Sequence, residues 1–292
     1  ANFAQKGTMN GEIALDLGEQ IAAFAGGGAV NMVPPSAAAL LNLDAQAVEG
    51  ALRAAGLLDD GRILVEAEGN KARVCAQGVA AHAARPESGE SAFMLLARAL
   101  AKSGLLRGQS QAAMLALARA AGDFYGESAG IACEDAETGK TTMVLGLCRT
   151  EGGRAVFSVD CRLSIAAELQ KTPENARRAL DELGFEILSL TAKKPFYLPA
   201  DDARVQALMR AYRELTGRDD PPYARGGGTY SRYLKNAITF GPGFPERSPA
   251  PEDLPKGHGG AHAPDECVYL PDYFEAMYVI AASLLELDAA VD

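Results

Sequence analysis

Histidine is scarce in this chain: its 292 residues include three, His82, His258 and His262. No HExxH is present, nor any second cluster of His and carboxylate at metal-ligand spacing, which excludes a self-contained centre of that type. The cysteines Cys75, Cys133, Cys148, Cys161 and Cys267 are odd in number and never spaced CxxC. That pattern argues against a zinc knot or a disulfide framework and for buried free thiols in a reducing compartment. Basic runs are absent and the net charge is -10, so nucleic acid is not an expected partner. No apolar run approaches the roughly 20 residues that cross a bilayer, so no membrane partner is expected either. A cytoplasmic location is the expectation, to which the missing signal peptide adds little because the chain opens at Ala1 without a Met.

The residues that are present describe an ordered chain. Apolar residues make up 48% and charged residues 23%, and the length is enough for two domains with a substantial core. Glu12–Ala29 reads as extended segments ending in a turn at Gly26-Gly27-Gly28. Asp44 caps a helix with Ala47, Val48, Ala51, Leu52 and Ala55 on one stripe, stopped by Gly56. Ile63–Ala67 and Ala72–Ala76 pair across Gly69-Asn70, and a helix carrying Phe93, Leu96, Ala97 and Leu100 follows. Ala155–Ile165 alternates apolar and polar residues and pairs with Met143–Cys148 as a hairpin. Thr172 as N-cap and Pro173 open a helix that Gly184 closes, with strand Phe185–Leu190 after it. This repeating strand–helix–strand order predicts an α/β chain with split βαβ units, helices packed on one face of an antiparallel sheet. After Lys193-Lys194-Pro195 the character changes to a helix ending at Gly217, a glycine motif, a short strand Ala237–Phe240, a proline-rich loop and a last helix through Tyr273–Leu287.

Two segments near the C-terminus carry the most chemistry. Arg225–Arg232 reads RGGGTYSR, a backbone suited to close approach to a ligand and then to the start of a helix, and Gly257–Glu266 reads GHGGAHAPDE. With GGGAVNMVP at Gly26–Pro34, GVAAHAARPESGESA at Gly78–Ala92 and FSVDCRLSI at Phe157–Ile165, these motifs resemble the zinc aminopeptidase–aminoacylase superfamily, and most closely its PepV-like dipeptidases. Matches run from residue 26 to residue 266, and their order and spacing are more specific than any one of them.

The resemblance implies a metallopeptidase catalytic domain interrupted by a lid. Residues 1–19 would be a remnant of the catalytic domain, 20–194 the lid, and 195–292 the returning C-terminal part. A lid this large looks like the type that replaces a partner subunit's lid, which implies a monomeric parent. The family's other zinc ligands, in an HxD segment, a bridging Asp, a Glu beside the catalytic Glu and a further Asp, find no match here. The chain is therefore expected to be a fragment or one piece of a split enzyme, inactive alone, with apolar faces on 196–292 that lead to self-association or a compensating rearrangement.

The resemblance also implies roles. His262 would ligate one of two zinc ions, with Asp265 or Glu266 orienting its ring; the alternative is a surface loop histidine, as expected for His258. His82 would reach from the lid to the oxyanion of a tetrahedral intermediate, or else cap a strand end. Asn31 and Arg162 would hold the substrate carboxylate; the alternatives are a turn residue and an ion pair with Asp160. Gly226, Gly227 and Gly228 would close against a dipeptide, with Thr229, Tyr230 and Arg232 as side-chain contacts, or else form a flexible loop. Three functions remain open: a zinc dipeptidase, an N-acyl amino acid amidohydrolase, and a regulatory or binding protein without the metal half.

Overall fold

Ala155, Phe157, Val159, Cys161 and Leu163 alternate with Val156, Ser158, Asp160 and Arg162, and this period of two folds as a strand with unlike faces. The computed structural model describes residues 1–234, 237–241, 244, 253–255, 258–259 and 265–291. The first stretch contributes β1 (Asn2–Gln5), β2 (Gly7–Asp16), β3 (Ile21–Gly27), the short β4 (Met32–Val33) and β5 (Ser36–Leu41). Next come α1 (Ala45–Ala54), β6 (Ile63–Glu68), β7 (Lys71–Gln77) and the short β8 (Ala81–His82), then α2 (Ala92–Lys102) and α3 (Gly108–Gly122). The pair β9 (Glu134–Asp135) and β10 (Gly139–Lys140) precedes β11 (Thr142–Glu151), β12 (Arg154–Leu163), α4 (Thr172–Glu182) and β13 (Phe185–Lys193). The chain ends with β14 (Phe196–Tyr197), α5 (Ala203–Thr216), β15 (Tyr223–Arg225) and α6 (Leu270–Val291).

The fold class is α/β, with a large antiparallel sheet. Two units make up the chain: Lys6–Pro195, and Ala1–Gln5 with Phe196–Asp292. The first division thus falls between Gln5 and Lys6 and not between 19 and 20. The physical reason is β2, which pairs along its whole length with β12 on one side and β13 on the other and so belongs inside the larger unit's sheet.

That sheet has eight strands in the order β13-β2-β12-β11-β3-β5-β7-β6, every neighbour antiparallel. It consists of two four-stranded halves of the same plan. In one half, β3 and β5 pair, α1 crosses, β6 takes the edge and β7 fills the place between. In the other, β11 and β12 pair, α4 crosses, β13 takes the edge, and β2 from the start of the unit fills the inner place. The halves meet at β3 and β11 through two register pairs, Gly27 with Leu147 and Gly26 with Cys148. Any Cβ at Gly27 would sit 2.2 Å from the Gly146 carbonyl oxygen, so the crossing requires glycine.

All four helices cover one face. Val48 and Leu52 of α1, Phe93, Leu96 and Leu100 of α2, Met114 and Leu117 of α3, and Leu180 of α4 share one core with Ile13, Phe24, Val74 and Phe157 from the strands. Burial at about 25 cal/mol per Å² of apolar surface makes this core the main stabilising term. Phe24, Phe93 and Phe157 meet edge to face or tilted at 5.6–6.0 Å between ring centres. Asp44 caps α1 by accepting from Ala47 N, as expected, whereas Thr172 is not the cap of α4 but its first residue, after Lys171.

In the smaller unit β1 lies between β14, antiparallel, and β15, parallel. Phe3 and Ala4 pack against Val205, Leu208 and Met209 of α5. The expected strand at 237–240 reduces to one bridge between Asn2 and Thr239. Helix α6 leaves Phe274, Met277, Tyr278, Leu284 and Leu285 exposed. Among the described residues no helix is long and apolar enough to cross a membrane.

Candidate functional site

The face of the large sheet opposite the helices carries the candidates of the larger unit. Strands β4 and β8 pair with Met32 opposite His82, and the Ala83 amide donates to the Asn31 carbonyl at 2.9 Å. Val33 and Ala83 pack on Val144 of β11, which seats this hairpin on the sheet. The Thr142 hydroxyl donates to the Ala83 carbonyl at 2.7 Å, and Thr142 stands directly opposite Arg162 in the β11–β12 ladder. One run of contacts therefore links Asn31, His82 and Arg162 on one face.

Each of the three has a defined state. Arg162 meets Asp160 at two points, Nε to Oδ1 at 2.7 Å and Nη2 to Oδ2 at 3.0 Å, and the Asn10 amide donates to Oδ2 at 3.0 Å. The ion pair weighed against carboxylate binding is thus formed; two guanidinium donors serve it, and a guanidinium has five. His82 is exposed, and the Ala84 amide donates to its Nδ1 at 3.0 Å. This contact makes Nε2 the protonated nitrogen of the neutral ring, the donor form that an oxyanion requires. Asn31 is half-buried, its backbone fixed by Ala83.

Sequence reasoning missed Lys6, Asn10 and Thr142. Lys6 is buried, and its ammonium donates to the Lys140 carbonyl. Burial pushes its pKa down, as does nearby Arg162, while Asp135 and Glu87 pull it up. Asn10 was legible in principle: it stands two positions from Thr8 on the polar face of β2, opposite Asp160. Lys6 gives no such signal, since one lysine at a strand edge is ordinary.

In the smaller unit the glycine motif follows β15. Gly228 lies against the guanidinium of buried Arg232, and a Cβ there would sit 2.5 Å from Arg232 Cζ. The expected helix after the glycines is a three-residue 3-10 turn, Tyr230–Arg232, so no long run of aligned amides favours an anion there. Thr229 is held internally: its amide donates to Gln5 Oε1 at 2.8 Å and its hydroxyl accepts from Gln5 Nε2 at 2.7 Å. Tyr230 is 85% exposed, so among the candidate side chains here it is the one turned to solvent. Gly226 and Gly227 are half-buried, and Gly227 has open space where a Cβ would stand.

His262 lies outside the described residues. Asp265 meets His258, with Oδ2 at 2.7 Å from Nδ1, so one of the two carboxylates considered for the ring of His262 pairs with the other loop histidine. Among the described residues no three His, Cys, Asp or Glu side chains converge as a metal site, so those residues alone do not make up a zinc centre.

Two bacterial proteins that carry the name "putative dipeptidase" match this chain. YtjP of Bacillus subtilis is 28% identical over 211 residues, covering 72% of this chain and 43% of that protein. One from Staphylococcus saprophyticus is 26% identical over 282 residues, covering 92% of this chain and 56% of that protein. The chain is similar to PepV-like dipeptidases. That resemblance, first carried by the motifs, is borne out. The chain spans about half the length of the curated relatives it matches. No family model matches. Among solved structures, an aminoacylhistidine dipeptidase from Vibrio alginolyticus aligns over 98% of this chain and 62% of its own at 14% identity, with a TM-score of 0.47.

Proposed function

We propose that this chain is the lid and C-terminal part of a zinc-dependent dipeptidase, a hydrolase that cleaves the peptide bond of dipeptides. The observation that carries this reading is the run of contacts from Asn31 through Ala83 and Thr142 to Arg162, with His82 beside it. The named dipeptidase relatives support the substrate class.

In this reading Lys6–Pro195 is the lid. His82 donates from Nε2 to the oxygen of the scissile carbonyl as negative charge develops there, an interaction stronger in the transition state than in the ground state. Arg162, kept in one orientation by Asp160, and Asn31 take the substrate's C-terminal carboxylate. The Gly226–Gly228 backbone lies along the dipeptide, with Thr229 shaping the loop and Tyr230 and Arg232 as its side-chain neighbours. His262 is assigned to zinc together with side chains not contained in these 292 residues, and zinc, when bound, supplies the activated water.

The test is hydrolysis of a dipeptide panel by this chain with added zinc or manganese. The expected result is no turnover by the chain alone; robust turnover would show that it carries its whole metal site and would end the fragment part of the proposal. N-acetyl amino acids belong in the same panel. Their binding in preference to dipeptides would overturn the substrate class.

A further inference from the structure

Both ends of the glycine loop are fastened by one residue that lies more than two hundred positions earlier in the chain. Gln5 is fully buried on β1. Its backbone is the register partner of Arg225, the last residue of β15, where the loop begins. Its side chain holds Thr229, where the loop ends, accepting from the Thr229 amide at 2.8 Å and donating to the Thr229 hydroxyl at 2.7 Å.

A second layer fixes the side chain itself. Gln5 Nε2 also lies 2.6 Å from Asn2 Oδ1 and 2.9 Å from Ser231 Oγ. The hydroxyls of Thr229, Ser231 and Thr239 then touch one another at 2.5–3.2 Å, so their protons are satisfied within the group. A dry amide with this many partners has one low-energy rotamer, because any other leaves buried polar atoms unpaired.

The geometry points to Gln5 as the positioning residue of the Gly226–Gly228 loop, setting the loop's span by holding its two ends. Three successive glycines have the largest conformational freedom to lose on ordering, so a loop of this composition binds tightly only if its ends are fixed beforehand. Gln5 supplies that fixation without touching a ligand. The consequence for binding rests on the proposed role of the loop, whereas the anchoring itself does not.

The experiment separates the two. Amide hydrogen exchange across the smaller unit is measured in the whole chain for the parent, Gln5→Met and Gln5→Glu, together with affinity for a reduced-bond leucyl-glycine that cannot be hydrolysed. Expected is Thr229 exchange about tenfold faster in Gln5→Met, the scale of one lost buried hydrogen bond, with α5 amides unchanged. Gln5→Glu keeps an oxygen for the Thr229 amide and is expected to fall between. If Thr229 exchange is unaltered, or if every amide of the unit accelerates together, Gln5 is not a positioning residue and the inference is overturned. Where Gln5→Met does not fold, Thr229→Val, which removes the hydroxyl's contacts to Gln5, Ser231 and Thr239 but keeps the Thr229 amide bond to Gln5, gives the same decision by faster exchange confined to the loop or by none. Faster loop exchange with weaker probe binding upholds both claims; faster exchange with probe affinity unchanged upholds the anchoring and removes the ligand role of the loop.

Discussion

Asp160 grips Arg162 at two points, at 2.7 and 3.0 Å, with 5% and 12% of the two side chains exposed. Residues two apart on a strand share a face, so β12 itself brings the pair together. A pair this deeply placed is costly to break from one side, because the remaining charge stays buried.

Asp160→Ala should therefore destabilise the chain by about 3–5 kcal/mol, read from urea denaturation. Replacing both partners, as Asp160→Leu with Arg162→Met, should recover most of that loss while abolishing any affinity for a dipeptide carboxylate. Equal losses in the single and double variants would contradict this account.

His82 should show an unprotonated, accepting Nδ1 in the neutral ring when followed by long-range proton–nitrogen correlation, since the Ala84 amide points at that atom. His82→Ala should change stability by no more than about 0.5 kcal/mol, because the ring is exposed.

Adjacent glycines should differ in tolerance. Gly228→Ala puts a methyl group 2.5 Å from Arg232 Cζ, so the guanidinium must shift, and the variant should be less stable than Gly227→Ala. Gly227→Ala meets nothing within 4 Å and should stay within about 0.5 kcal/mol. Thermal unfolding of the two variants decides.

Asp135 gives the larger unit a defined acid limit. Burial alone would raise its carboxyl, but the Ser164 and Thr138 hydroxyls and the Thr138 and Glu137 amides outweigh it and bring the pKa to about 2. A folded value below the unfolded one means stability present above about pH 4 and lost as the pH falls toward 2. Asp135→Asn should flatten that part of the curve of stability against pH.

The exposed Phe274, Met277, Tyr278, Leu284 and Leu285 of α6 make an apolar surface of the kind that associates. Sedimentation velocity should show concentration-dependent self-association, reduced by Phe274→Asp with Leu285→Asp. A strictly monomeric unmutated chain at all concentrations would contradict it.

Much of the sheet was legible because β12 alternates, because the apolar run of β11 precedes it across a Gly152-Gly153 turn, and because Gly69-Asn70 marks the β6–β7 turn. Strand β5 was not, since Ser36–Leu41 is mostly alanine and leucine, which favour helices, and becomes a strand through pairing with β3 and β7. Helix α3 was missed for a different reason. Arg107 gives no side-chain cap, and Ala112–Ala118 is apolar throughout, exposed Leu115 included, so the stripe that is buried does not stand out in the sequence. At the site, the types and spacing of Asn31, His82 and Arg162 were readable, but the contacts that link them run through Thr142 and Ala83, which carry no chemical signature. The helix expected after the glycines failed because the Thr229 side chain is spent on Gln5 and makes no cap hydrogen bond to the short turn that follows.

The junction of β3 with β11 has mechanical consequences. Two backbone register pairs, at Gly26 and Gly27, with the Thr150 hydroxyl on the Phe24 backbone, join the two halves of the sheet, while each half is stitched by far longer ladders. Under tension or partial denaturation the sheet should part along this seam first, yielding two cooperative blocks where uniform pairing would have melted as one.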